Sequence, residues 1–252
     1  MAQFWIGFDI ALIGIALVGI AAVAVRYRRE IRAARKRLDS LGSQVIETAC
    51  GPLEVLRIGG GYPVLVVHGA MGGFDQGLWL AHGFDISHYQ VISISRFGYL
   101  RSPLPENANL DLQADAFACL LDALEIRQAA VFAVSAGSTS AIRFAARHPE
   151  RISALILLSP DAPGKVQMAM PPRFVFDTLL RSDFVYWAMI TFFGKKVQAM
   201  IGLAPGGFVL TPEYAALIKR VQAGDLPVSR RIDGMIFESY TLTPEFNASV
   251  SA

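Results

Sequence analysis

The sequence is poor in cysteine, in charge and in histidine. It has two cysteines in 252 residues, which excludes a disulfide-rich scaffold. We expect Cys50 and Cys119 to be reduced and to serve as small apolar residues in a reducing compartment. Charged residues make up 17% of the chain and apolar residues 53%, which excludes an intrinsically disordered protein. The length suits one large α/β domain or two small ones.

The sequence also lacks an excess of basic residues in its main body. The net charge of +2 averages two unlike parts, because residues 26–41 hold seven basic and two acidic side chains. Residues 42–252 hold 16 basic and 18 acidic side chains, so we expect no nucleic-acid partner. There is no metal-ligand cluster, phosphate-binding loop or dinucleotide fingerprint, and we therefore expect no metal and no cofactor.

An apolar run lies close to the N-terminus. In residues 4–25, 18 of 22 positions are apolar, and the others are three glycines and Asp9. As a helix this run would be about 33 Å long, against about 30 Å for the hydrocarbon core of a bilayer. The run predicts a transmembrane helix. A cleaved signal peptide would need a basic segment before the apolar run, and Met1-Ala2-Gln3 carries none.

The basic segment that follows, residues 26–43, predicts an orientation. Because basic flanks stay on the cytoplasmic side, we expect a single-pass membrane protein whose main domain faces the cytoplasm. Ile31, Ala34, Leu38 and Leu41 recur at nearly helical spacing. Two interpretations of this segment stay open. In one, residues 4–41 contact membrane lipid, and the basic segment is an amphipathic helix that binds anionic headgroups. In the other, residues 26–43 are a helical spacer.

Residues 44–160 alternate between strand-like and helix-like segments. A hairpin around Gly51-Pro52 is followed by four short apolar runs typical of buried strands: residues 64–67, 91–94, 130–134 and 154–158. Two helices are predicted between them, at residues 110–124, capped by Asn109, and at residues 136–147. Buried strands that alternate with helices predict an α/β fold, with a mostly parallel sheet and helices on both faces.

The chain changes character after residue 160. Residues 171–203 are rich in aromatic side chains and methionine, and we expect short helices packed over an edge of the sheet. Residues 232–240 are expected to be helical. Residues 161–240 would then form a helical cap region, and residues 241–252 an irregular tail.

The segment Val131-Phe132-Ala133-Val134-Ser135-Ala136-Gly137 places a serine where a buried strand runs directly into a helix. Small residues two positions before and after this serine match the G-x-S-x-G nucleophile elbow, with alanine at the first glycine position. The elbow exposes a hydroxyl at a helix N-terminus, where developing negative charge is stabilised. The alternative interpretation is a serine that caps the helix of an ordinary βα unit.

A glycine-rich loop, residues 68–73, follows an earlier strand. Its backbone N–H groups can point to the same place as the elbow, and the candidates for an oxyanion hole are the N–H of Ala70 or Met71 together with that of Ala136. We interpret His68 as a structural residue of this loop.

Three segments in order, HGAMGGFDQG, SRFGYLRSPLP and AVSAGSTSAIRFAARHPERISALILLSP, resemble the α/β-hydrolase superfamily. The resemblance is strong over residues 45–160 and weak over residues 161–240, where it implies a helical cap. It implies that Ser135 is the nucleophile and that the substrate is a small apolar ester or related acyl compound. Asp161, which directly follows the sixth strand, is the candidate acid, although it could equally be a loop or capping aspartate.

The sequence departs from that family at the general base. The family's histidine follows the nucleophile and the acid, whereas the four histidines here are His68, His82, His88 and His148. We expect none of them to act as the base, and we find no seventh strand. We therefore expect a C-terminal truncation, a sheet without its last strands and an inactive or impaired hydrolase.

Two alternatives to an impaired enzyme stay open. One is a non-catalytic pseudohydrolase that binds an apolar ligand, or a protein partner at the open sheet edge. The other is a partner chain that supplies the absent strands and histidine.

Overall fold

The computed structural model describes residues 2–161, 172–200 and 211–251. Its centre is a six-stranded sheet in the order β1-β2-β4-β3-β5-β6. β2 pairs antiparallel with both of its neighbours, β1 and β4, and the strands β3, β4, β5 and β6 are parallel to one another. The strands are β1 Gln44–Ile46, β2 Leu53–Ile58, β3 Tyr62–Val67, β4 Tyr89–Ile94, β5 Ala129–Val134 and β6 Ile152–Leu158. The mostly parallel sheet is confirmed.

The helices of the described residues are α1 Ala2–Ser40, α2 Phe74–Leu80, α3 Leu110–Ala123, α4 Gly137–Arg147, α5 Arg173–Val175, α6 Asp183–Phe192, α7 Gly194–Met200, α8 Pro212–Gly224, α9 Ile232–Phe237 and α10 Thr243–Ser251. Two π-helical segments, Phe176–Leu180 and Glu238–Leu242, continue α5 and α9. As expected, Asn109 caps α3, because its side chain accepts a hydrogen bond of 2.8 Å from the backbone N–H of Leu112.

The main core lies where α3 and α4 pack against the sheet. The apolar residues of β3, β4 and β5 have almost no solvent contact on this side, and Phe117 of α3 meets Phe144 of α4 edge to face. Strands that are covered by helices on both faces need apolar side chains at successive positions. This is why the continuous apolar runs identified these strands correctly.

β6 differs from the prediction of a fourth buried strand. It begins two residues earlier than expected, and its side chains alternate between half-buried and exposed. Ile156 and Leu158 are 46% and 48% exposed. Within the described residues β6 is an edge strand, so it has a neighbour on one side only.

The C-terminal residues also differ from the expectation of an irregular tail. Residues 243–251 form helix α10, and Leu242 and Phe246 pack into the main core. These apolar positions recur every fourth residue, which is a helical spacing. Short helices do occupy residues 173–200 as expected, while residues 162–171 and 201–210 lie outside the described part.

The prediction for the cysteines is wrong. Cys50, in the turn between β1 and β2, and Cys119, on α3, form a disulfide with an S–S distance of 2.11 Å. The packing of α3 on the sheet brings their Cα atoms to 5.9 Å, a separation that a disulfide requires. A spacing of 69 residues along the chain gave no sign of this proximity.

The predictions of a transmembrane helix and of a single-pass membrane location are wrong. Among the described residues, none of the helices combines the length and the apolar content that crossing a membrane needs. The second half of α1 instead packs on the domain, because Ile31, Ala34 and Leu38 are buried against it. The basic side chains take part as well, since Arg35 pairs with Asp183 at 3.1 Å.

Candidate active site

Ser135 lies at the junction of β5 and α4, in the strained conformation that an elbow requires. Its φ of 49° is in the left-handed region, which is uncommon for residues other than glycine. Its backbone N–H donates to the carbonyl of Leu158 at 3.0 Å, so β6 fixes the turn. The side chain is exposed, and its hydroxyl makes no hydrogen bond to the described residues. The serine therefore does not cap the helix.

The glycine-rich loop packs directly against this elbow. A Cβ atom on Gly137 would lie 2.4 Å from the carbonyl oxygen of His68, and one on Gly69 would lie 3.2 Å from the Cβ of Ser135. Ala136 is buried. In the described part of the chain the backbone N–H groups of Ala70 and Ala136 donate to no protein acceptor, so both stay available to a ligand.

Met71, the other candidate of this loop, has a φ of 56°, and its backbone lies close enough to the hydroxyl of Tyr99 to lower the pKa of that group. Burial raises the pKa of that phenol well above its ordinary value, so Tyr99 stays neutral. Ala70 is therefore the better placed of the two loop candidates.

His68 is fully buried and uses both ring nitrogens within the fold. Its Nδ1 donates to the carbonyl of Gly69 at 2.7 Å, and its Nε2 accepts from the backbone N–H of Arg96 at 3.1 Å. Burial, followed by the nearby Arg96 charge, lowers the pKa of His68 well below its ordinary value. A neutral imidazole with no free nitrogen orients the loop and cannot take a proton from Ser135.

A buried ion pair supports the glycine-rich loop. The guanidinium of Arg96 donates to the carbonyl of Gly69 at 3.2 Å and forms a salt bridge with Glu238. The hydroxyl of Tyr99 donates to the same carboxylate at 2.9 Å. Glu238 lies about 140 residues further along the chain, in the π-helical segment after α9. A C-terminal segment thus supports the loop that supplies the Ala70 N–H.

The rest of the loop is held by Gln76 and Arg231. Gln76 accepts a hydrogen bond of 2.8 Å from the backbone N–H of Gly69. Arg231 donates to the carbonyl of Gly72 at 2.6 Å and forms a two-pronged pair with Asp75, at 3.0 and 2.8 Å. The bonds to Gly69 and Gly72 fix the backbone groups that flank Ala70 and Met71.

Asp161 lies on the opposite side of Ser135. Its backbone N–H donates to the carbonyl of Ser135 at 3.2 Å, and one carboxylate oxygen accepts from the hydroxyl of Thr243 at 3.5 Å. The structure therefore brings Asp161 beside the elbow. The carboxylate contacts none of the four histidines.

Two of the other histidines bind carboxylates, and the third lines a cavity. His148 binds Asp115 at 2.7 Å, and His88 binds Asp85 at 2.9 Å on an exposed loop. His82 lies on the wall of a cavity whose lining does not include Ser135.

Sequence reasoning missed the residues that hold the glycine-rich loop: Gln76, Arg96, Tyr99, Arg231 and Glu238. Only Gln76 has a local signal, since it follows the loop by a few residues at the start of α2. The others come from distant segments, and their spacing along the chain carries no information about the contact.

The comparisons with known proteins point to one family. A family described as having the alpha/beta hydrolase fold matches residues 62–207. A solved alpha/beta hydrolase fold protein from Nakamurella multipartita is 29% identical, with a TM-score of 0.59, and the match covers 82% of this chain and 75% of that one.

Two curated relatives match over shorter segments. An uncharacterized hydrolase, YcgS, from Bacillus subtilis is 35% identical over 113 residues, which is 43% of this chain and 38% of that protein. A 2-hydroxymuconate semialdehyde hydrolase from Pseudomonas sp. strain CF600 is 32% identical over 104 residues, which is 40% of this chain and 37% of that protein. The chain thus matches less than two fifths of the length of either relative.

Proposed function

The chain belongs to the alpha/beta hydrolase fold family, and from this premise we propose that Ser135 is a nucleophile for a small apolar ester or a related acyl compound. The observation that carries the proposal is the geometry of the elbow. Ser135 has a free, exposed hydroxyl on a strained turn, and an ordinary capping serine needs no such strain. That both curated relatives are named hydrolases supports the reaction class.

In this proposal the Oγ of Ser135 attacks the acyl carbonyl and forms a tetrahedral intermediate. The backbone N–H groups of Ala70 and Ala136 bind its oxyanion, and each such donor is typically worth about 3 kcal/mol in the barrier. The intermediate then releases the alcohol and leaves an acyl group on Ser135, which water removes. Asp161 is the acid of this proposal, because its backbone is tied to Ser135.

The proton of Ser135 has to pass to a base when the new bond forms. We assign this role to none of the four histidines, because three bind other groups of the protein and His82 lies on the wall of a separate cavity. The proposal therefore concerns the nucleophile and the oxyanion hole.

A fluorophosphonate probe tests the proposal directly. We expect it to label Ser135 in the folded protein and to add one phosphonyl group per chain, as measured by intact mass and peptide mapping. Ser135→Ala should abolish the labelling. Ser153→Ala is the matched control, because Ser153 is an exposed serine on β6 whose removal should leave the labelling unchanged.

The second candidate function is a pseudohydrolase that binds an apolar ligand or a protein without chemistry. It is favoured by one observation, the engagement of His68, His88 and His148 in other contacts. Folded protein that stays unlabelled at every pH between 6 and 9 would overturn the nucleophile proposal and leave this second function in its place.

A further inference from the structure

A cavity of about 350 Å³ lies beside the glycine-rich loop, between α1, α2 and α8. Met71 and Gly72 of the loop form one wall of it, and Ser135 is not among its lining residues. Its size is within the range of small-molecule sites in proteins. We call it the arginine cavity, after the lining residues Arg37, Arg220 and Arg231.

One end of the arginine cavity is charged, and part of its charge is balanced within the protein. Asp75 accepts from Arg231 through both carboxylate oxygens and also from Arg37 at 3.4 Å. Arg231 is 1% exposed, and its two terminal nitrogens are further held by the carbonyls of Gly72 and Gly224. Arg231 and Asp75 together form a nearly neutral floor.

Two cationic groups remain above that floor. The Nη2 of Arg37 is used by Asp75 and by the carbonyl of Gly224 at 2.7 Å, whereas its Nη1 donates to no group within the described residues. Arg220, an exposed residue of α8, makes no ion pair with any described residue. Both guanidinium groups line the arginine cavity.

Asp225, the other carboxyl group of the cavity, does little to cancel this charge. Burial raises its pKa to about 7, and the hydroxyl of Tyr186 donates to it at 2.5 Å. About half of these groups are neutral at pH 7, so the charged end keeps a net positive charge.

Leu41, Leu78, Trp79 and Val221 form an apolar part of the wall, and Gln76 and His82 add two polar side chains to the lining. Trp79 is 46% exposed, which is unusual for the largest apolar side chain. Inorganic anions would leave these walls uncovered, and a neutral apolar compound would give no acceptor to the Nη1 of Arg37 or to Arg220. A ligand that satisfies both parts carries an anionic head on a short apolar body.

We propose that the arginine cavity binds a small amphipathic carboxylate, whose carboxylate group lies between Arg37 and Arg220 and whose apolar body covers Trp79. Planar guanidinium groups suit this head because they donate two parallel hydrogen bonds to a carboxylate. The proposal is independent of the role of Ser135, since no serine chemistry is involved.

Calorimetric titration of the full chain with octanoate, at fixed ionic strength, tests the site. We expect one octanoate per chain, and at least tenfold weaker binding of octanamide, which has the same chain length without the charge. Equal binding of the acid and the amide, or no binding of octanoate, would overturn the proposal.

Two neighbouring residues of α8 provide matched variants. Arg220→Gln should weaken octanoate binding about tenfold, the loss expected for one charged hydrogen bond. Lys219→Gln removes the same charge one residue earlier, from an exposed position outside the cavity lining, and should leave the affinity unchanged. Equal losses in the two variants would show general charge attraction and contradict a defined site.

Trp79 supplies a second readout. Octanoate should change the fluorescence of the protein, and Trp79→Phe should remove that change while the calorimetric affinity stays within about twofold, because phenylalanine keeps an apolar wall. A fluorescence change that persists in Trp79→Phe would place the ligand elsewhere on the chain.

Discussion

β3 and β6 are both parallel neighbours of β5 and lie on the two sides of Ser135, yet they are built differently. The last residues of β3 are fully buried, and the loop that follows is held by Arg96, Arg231 and Gln76. β6 is half exposed, and among the described residues Asp161 after it makes one backbone bond and one long side-chain bond. Within the described residues, the glycine-rich loop beside Ser135 is thus held by more contacts than the Asp161 side.

The buried pair under the glycine-rich loop should give the largest effect. Glu238→Gln leaves the Arg96 charge buried without a counter-charge, and we expect the free energy of unfolding to fall by about 3–5 kcal/mol. Urea denaturation measures this difference. Glu150→Gln is the control on the β6 side, where the carboxylate is mostly exposed, and should cost less than about 0.5 kcal/mol. Equal costs would remove the contrast between the two sides.

A pair of leucines compares the two strands directly. Leu65→Ala on β3 removes a fully buried side chain and should cost about 2–5 kcal/mol. Leu158→Ala on β6 removes a side chain that is about half exposed and should cost less than about 1 kcal/mol, because little of it leaves water on folding. A Leu158→Ala variant as unstable as Leu65→Ala would indicate that β6 is covered in the protein as it exists in solution.

The contact between the elbow and the loop can be broken at a single position. Gly137→Ala places a Cβ atom 2.4 Å from the carbonyl of His68, so backbone has to move, at a cost of about 1–3 kcal/mol. The same change should reduce fluorophosphonate labelling of Ser135 at least tenfold, because Ala136 moves with the turn. Gly60→Ala, which meets no atom within 4 Å, should alter neither quantity.

A pH dependence at Asp225 tests the region around Arg231, which holds the glycine-rich loop. The raised pKa of Asp225, about 7 against 3.8, means that the folded chain binds this proton more tightly than the unfolded chain. The resulting stability is complete below about pH 4 and is lost as the pH rises through about 7. The groups that act on this carboxyl are Tyr186, Arg231, Asp75 and Arg37.

The stability of the Asp225→Asn variant, relative to that of the original chain, should therefore increase as the pH rises from 5 to 8. Melting temperatures of both proteins at these two pH values measure the change. A difference that does not depend on pH would assign Asp225 an ordinary pKa and would leave the arginine cavity less positive than proposed.

The parts of the fold that the sequence predicted are those set by local patterns. Continuous apolar runs identified β3, β4 and β5, and Asn109 identified the start of α3. The junction of strand and helix at Ser135 was expected from the apolar run before it and the small residues around it. Local patterns could not reveal which segments meet, and this is why the disulfide between Cys50 and Cys119 and the support from Glu238 were missed.

The error at α1 has a related cause. A count of apolar and basic residues describes what a helix could contact but does not identify its partner. Arg35 and Arg37 suggested lipid headgroups, and in the structure they pair with Asp183 and Asp75. These aspartates lie 38 and 148 residues further along the chain, so local sequence patterns cannot predict the two contacts.

The disulfide also divides the chain topologically. Cys50 and Cys119 close a covalent ring that contains β2, β3, β4 and the whole glycine-rich loop, while Ser135 lies outside it. One proteolytic cut anywhere between residues 51 and 118 opens this ring without releasing a fragment, so a nicked protein keeps its full mass until a reductant is added. A cut between Cys119 and Ser135 places Ser135 on a different fragment from the loop that faces it.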